Sequence, residues 1–222
     1  MLPTVEKETG PSPTWTVLWL HGLGADGNDF APIVPELVAN QSWPAIRFVF
    51  PHAPVRPVTV NNGVPMRAWY DIKGVSIADK QDAQGIHASI AEVDALIARE
   101  VERGVPADHI ILAGFSQGGA MTLCAGLRHR ETLAGLLVLS AYLPLADTLG
   151  TEGSDANRST PLFWGHGSAD PVVPMALAEQ SRQALEAGGY KVAWHSYPMA
   201  HQVSLPEIAD IRAWLGQRFA AG

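Results

Sequence analysis

The chain predicts an α/β architecture, a mostly parallel central sheet with helices on both faces. Three observations predict it. Short continuous apolar runs, such as Val17-Leu18-Trp19-Leu20 and Leu136-Leu137-Val138-Leu139, read as strands buried on both faces. Stretches with helical spacing separate these runs, so strands and helices alternate throughout. His21, Ser116, Tyr142, Asp170 and His201 all fall just after strands, the edge where such sheets place their sites.

Residues 1–14 read as an extended lead-in with a weak edge strand. Thr16 to Leu20 is the first buried strand, and it ends in a glycine-rich loop from His21 to Phe30. Glycines at 22, 24 and 27 mark a backbone that approaches something closely. Phe30, Val34, Leu37 and Val38 then follow helical spacing, with Asn28 or Asp29 as the expected cap and Pro32 in the first turn. Ile46 to Phe50 is the next strand. Pro51 to Ile77 reads as a long irregular stretch, and long loops inside compact domains are usually functional. Its Met66, Trp69, Tyr70, Ile72, Val75 and Ile77 read as one wall of a binding pocket, against the plainer reading of a loop packed on its own domain.

Ile86, Ile90, Val93, Ile97 and Val101 form an amphipathic stripe stopped by Gly104 and Pro106. The apolar run ending at Ala113 leads through a tight turn into a helix expected to reach about His129. Leu136 to Leu139 is a strand, followed by Ser140-Ala141-Tyr142-Leu143-Pro144. From there to Thr160 the residues are small, polar and acidic, which reads as a surface excursion. Leu162-Phe163-Trp164 is a strand ending in Gly165-His166-Gly167-Ser168-Ala169-Asp170-Pro171. A helix follows from about Met175 and is closed by Gly188-Gly189. Val192 to Tyr197 is the last strand, Pro198 to Gln202 a loop, and Ile208, Ile211, Leu215 and Phe219 one face of a terminal helix. With no internal repeat, low-complexity tract or linker, residues 1–222 are expected to form a single domain.

A net charge of −7 with no basic run argues against a nucleic-acid or anionic-membrane partner. No apolar run approaches the length of a membrane span, and Met1 to Thr14 lacks the apolar core of a signal peptide. One cysteine, Cys124, excludes a disulfide within the chain and reads as a small buried filler, so a cytoplasmic setting is the expectation. The histidines form no metal-ligand array, and no nucleotide-binding glycine motif opens a helix, so neither metal nor cofactor is expected.

The chemistry centres on Gly114-Phe115-Ser116-Gln117-Gly118, a G-x-S-x-G pattern between strand and helix. Such a turn strains the serine backbone and leaves no room for side chains two residues away on either side. The pattern alone is weak, since this composition gives roughly 0.1 chance matches. A serine nucleophile needs a base, and the base needs an acid on its other ring nitrogen. His201 lies in the loop after the last strand, whereas His195 lies within that strand and His166 precedes the candidate acid. Asp170 follows a strand end, and its position and the Ser–acid–His order favour it as the acid over the plainer role of capping the next helix. Asp147 and Asp155 lie in the polar excursion, where solvated carboxylates are the norm. The N–H of Gln117 and that of Leu23, in the loop after the first buried strand, are the expected oxyanion donors.

With these residues placed, the sequence resembles the phospholipase/carboxylesterase family of α/β-hydrolases, which includes acyl-protein thioesterases. The resemblance rests on His21-Gly22-Leu23-Gly24 with Asp29-Phe30, Trp69-Tyr70-Asp71, the Ser116 pattern extended to Gly119, Gly165-His166-Gly167 with Asp170-Pro171-Val172-Val173-Pro174, and Met199 with His201. It implies an α/β-hydrolase fold, a Ser116–Asp170–His201 triad, oxyanion donors at Leu23 and Gln117, and hydrolysis of acyl esters or thioesters. Many members are homodimers, so a homodimer is an expectation here too. Ala200 departs from the family's usual glycine before the histidine, and Tyr142 from a tryptophan common in the thioesterase branch. The expected activity is a serine carboxylesterase for short to medium acyl chains, with Met66, Trp69, Tyr142, Leu143 and Val172 lining the acyl site. A thioesterase or lysophospholipase for longer chains is the alternative, and an inactive binding module that keeps the fold is a further one.

Overall fold

The computed structural model describes residues 1–74 and 81–221. Nine strands and six helices occur among them. Seven strands make the main sheet, in the order β1-β3-β2-β6-β7-β8-β9. They are β1 (Thr4–Glu8), β2 (Trp15–Leu20), β3 (Ile46–Pro51), β6 (Ile110–Phe115), β7 (Gly135–Leu139), β8 (Leu162–Gly167) and β9 (Val192–Tyr197). Only β1 is antiparallel to its neighbour. The inner strands β2, β6, β7 and β8 are buried almost throughout, as their unbroken apolar runs require of a sheet covered on both faces.

Alternation along each strand divides the core in two. On one face Leu18, Leu20, Leu112, Val138 and Trp164 pack under α2 (Ala83–Glu102), α3 (Gln117–Gly126) and α5 (Met175–Ala187). On the other, Val17, Trp19, Phe48, Leu137 and Phe163 pack under α1 (Val34–Val38) and α6 (Leu205–Ala221). Every residue of α3 is buried, whereas α2 shows the one-sided stripe that its sequence predicts.

Several elements differ from the sequence reading. The stretch after β3 holds a hairpin of β4 (Val55–Val58) and β5 (Val64–Arg67), turned at Asn62-Gly63, both at positive φ. Prolines on both strands hid it, because proline is admitted only at such edges. Val75 and Ile77 lie outside the described residues. Neither Asn28 nor Asp29 caps the first helix, which opens as a 3₁₀ turn over Ala31–Ile33 with no side-chain cap. Helix α3 stops at Gly126, short of His129. The excursion after Pro144 carries the short helix α4 (Leu149–Glu152), and it buries Leu145, Leu149 and Asn157. The Asn157 carboxamide accepts the Leu133 N–H and donates to the His129 and Glu131 carbonyls, which ties the excursion down.

Candidate active site

Parallel pairing brings the strand-end loops side by side. β2 pairs with β6 up to Leu20 opposite Gly114, and β6 with β7 up to Phe115 opposite Leu139. Ser116 follows at φ 56° and ψ −119°, a conformation that a side chain rarely adopts. Its N–H donates to the Leu139 carbonyl at 2.9 Å, which holds the strained turn against β7. A Cβ on Gly114 would overlap the Gly118 carbonyl, and one on Gly118 would overlap the Leu20 carbonyl. The two glycines are thus required by crowding, as the motif predicts.

The acid and histidine loops are tied to each other. The Ser168 N–H donates to the Tyr197 carbonyl at 2.8 Å, and the Ala169 N–H to the Met199 carbonyl at 3.1 Å. Asp170 is buried, and its Oδ1 accepts the Val172 and Val173 N–H groups at 2.8 and 2.9 Å. Its Oδ2 lies 2.7 Å from His201 Nδ1, and His201 Nε2 lies 2.8 Å from Ser116 Oγ. A carboxylate accepts from Nδ1–H, so Nε2 carries the lone pair that faces the serine hydroxyl. Phe115 packs its ring 4.8 Å from the imidazole. Ala200 is exposed and avoids the left-handed region, so its methyl group is compatible with this seating of His201.

Three other histidines make structural contacts instead. His166 is buried, and its Nε2–H donates to the Val173 carbonyl at 2.9 Å, behind the acid loop. Burial pushes its pKa down. His195 stacks on Phe163 at 4.5 Å as a strand-face residue. His21 is also buried, which lowers its pKa. The Ala53 N–H donates to its Nε2 at 3.0 Å, so the ring proton sits on Nδ1 and bonds the Gly22 carbonyl at 2.7 Å. A neutral His21 thereby shapes the loop that carries Leu23. Neither the Leu23 nor the Gln117 N–H has a backbone acceptor among the described residues. Among those residues no group of three or more His, Cys, Asp or Glu side chains could hold a metal ion.

The expected acyl-site residues separate. Tyr142 and Leu143 line a cavity of about 150 Å³ with Leu177 and Ser181. Met66 lies beside Gly24, and Val172 is 54% exposed next to Asp170. Trp69 is a correction: it has no exposed surface and belongs to the core, so it does not line an open pocket. Its indole N–H donates to the His21 carbonyl and its backbone N–H to Gln117 Oε1, both at 2.8 Å. The Gln117 side chain went unread in the sequence. Its Nε2 donates to the Tyr70 carbonyl at 2.8 Å, so it clamps the Trp69-Tyr70 backbone to the start of α3. The available signal was a carboxamide at the head of a mostly apolar helix, since buried polar groups find partners. The Tyr70 and Tyr142 hydroxyls also bond each other at 2.8 Å.

The family model described as phospholipase/carboxylesterase matches residues 3–218. Acyl-protein thioesterase 1 of Gibberella zeae is 39% identical over 210 residues, covering 91% of this chain and 89% of that one. Acyl-protein thioesterase 1 of Neurospora crassa is 38% identical over 226 residues, covering 98% and 90%. The crystal structure of Arabidopsis thaliana SOBER1 superposes with a TM-score of 0.86 at 30% identity, covering 92% of this chain and 98% of that one. The sheet, the strand-end loops and these relatives agree: the chain belongs to the phospholipase/carboxylesterase family of α/β-hydrolases and is a serine hydrolase of the esterase and thioesterase type.

Proposed function

We propose that the protein hydrolyses carboxylic esters of short to medium acyl chains through an acyl-enzyme on Ser116. The observation that carries this is the continuous hydrogen-bonded line Asp170–His201–Ser116. Ser116 Oγ attacks the ester carbonyl as its proton passes to His201 Nε2. Asp170 fixes the tautomer and stabilises the imidazolium that forms. The Leu23 and Gln117 N–H groups receive the oxyanion. His201 gives its proton to the leaving alcohol, then takes one from the water that releases the acid. Tyr142 and Leu143 hold the acyl chain, with Met66 and Val172 at the rim.

A second reading is a thioesterase or lysophospholipase for longer chains, and the fungal relatives named acyl-protein thioesterase 1 favour its thioesterase form. We further place the enzyme in the cytoplasm as a homodimer, a setting compatible with the buried unpaired thiol of Cys124. A serine-directed phosphonate is expected to label the protein stoichiometrically, and Ser116→Ala to abolish labelling. An unlabelled wild type would sink the mechanism. A ladder of p-nitrophenyl esters and matching thioesters separates the two substrates: an optimum on long-chain thioesters replaces the first reading with the second.

A further inference from the structure

Both expected oxyanion donors lie beyond the reach of the sheet. The β2–β6 ladder ends at Leu20 opposite Gly114, and Leu23 and Gln117 each stand three residues past that pair. Sheet pairing therefore does not fix the distance between their N–H groups, and something else must.

Trp69 is bonded to both arms. Its indole N–H donates to the carbonyl of His21, the first residue of the Leu23 loop. Its backbone N–H donates to the side chain of Gln117, whose own backbone N–H is the second donor. The Gln117 carboxamide completes a closed pair by donating to the Tyr70 carbonyl. The brace is itself anchored, because Ser89 Oγ of α2 donates to the Trp69 carbonyl and the indole packs 5.4 Å from the His21 ring. All of it is buried, where a broken hydrogen bond is not replaced by water.

Resting on the acyl-enzyme reading, we propose that Trp69 is a positioning residue that sets the spacing of the two oxyanion donors through its two N–H groups. It touches no substrate. Its effect falls on the transition state, because the donors must meet the oxyanion rather than the ground-state carbonyl. A misplacement of about 1 Å costs up to about a hundredfold in rate.

The test is Trp69→Phe beside Trp164→Phe. Trp164 is equally buried in the same core, but its indole N–H has no partner among the described residues, so the second variant loses the same volume and no bond. For Trp69→Phe, kcat is expected to fall about tenfold or more with KM within about twofold. The affinity of a trifluoromethyl ketone, whose adduct with Ser116 carries an oxyanion, should fall in parallel. Trp164→Phe should keep both. Equal effects of the two variants, or a change confined to KM, overturns the proposal. If Trp69→Phe does not fold, Gln117→Met removes the other bond and is held to the same pattern. A wild type that resists the phosphonate defeats the acyl-enzyme reading, whereas a labelled wild type with a fully active Trp69→Phe defeats this inference alone.

Discussion

Glu207 offers a test in which stability, not catalysis, is read. It lies in the first turn of α6, five residues after the His201-Gln202 pair, and it is fully buried. Its Oε1 occupies the space that a Cβ on Gly165 would need, and neither carboxylate oxygen has a partner among the described residues. Burial raises its pKa from 4.5 to about 7, with the Asp210 charge adding to the rise and the nearby polar backbone of Ser204 opposing it. A helix N-terminus favours a carboxylate by about 2 kcal/mol at most, too little to offset that burial. The folded state therefore binds the proton more tightly than the unfolded chain. This stability is fully present below pH 4.5 and is lost as pH rises towards and through about 7. At about 1.4 kcal/mol per pH unit the loss amounts to roughly 3 kcal/mol by pH 8. Glu207→Gln removes the titration. Urea unfolding of both proteins from pH 4.5 to 8 should show the variant gaining roughly 3 kcal/mol relative to wild type across that range. A constant difference between the two at every pH would refute the reasoning, whatever its size.

Two further outcomes follow from the site. Gly118→Ala drives a methyl group into the Leu20 and His21 carbonyls, backbone atoms that cannot rotate away; the start of α3 must shift, with a loss of about 1–3 kcal/mol in urea unfolding and about a hundredfold in ester turnover, and wild-type kcat/KM would contradict the crowding argument. In Asp170→Asn the side-chain oxygen must still accept the Val172 and Val173 N–H groups, so the new NH₂ faces His201 Nδ1 and forces the ring proton onto Nε2; kcat should fall by about 10⁴, and a loss under tenfold would show that the acid does not set the tautomer.

The sequence made the sheet legible because parallel strands buried on both faces leave unbroken apolar runs, as in Leu136 to Leu139. Ser116 and Asp170 each follow such a run, whereas the strand before His201 mixes polar and apolar residues and is only partly buried. The hairpin of β4 and β5 was not legible, since Pro57 and Pro65 disguise edge strands as loop. Asn28 and Asp29 before the first helix suggest a side-chain cap. Asp26 instead accepts the Asn28 N–H at 2.7 Å and turns the loop before any helix begins.

Trp69 shows where such reading stops. A large apolar side chain on a loop near a nucleophile serves equally as pocket wall or core, and only three-dimensional burial decides between them. Trp69 has no exposed surface, and its indole N–H is bonded inside the core. Its acceptor, the His21 carbonyl, lies 48 residues away in sequence, on a loop whose own shape depends on a neutral, buried histidine. Neither partner's spacing or periodicity announces the bond. Leaving that N–H unpaired in the core would cost about 1–3 kcal/mol, a cost that Trp164 bears in the same core with no indole partner among the described residues. Burial alone therefore does not require the bond at Trp69. The bond instead ties one rigid ring to the loop that carries Leu23, and under the role proposed above for Trp69 that tie links the packing of the core to the spacing of the oxyanion donors.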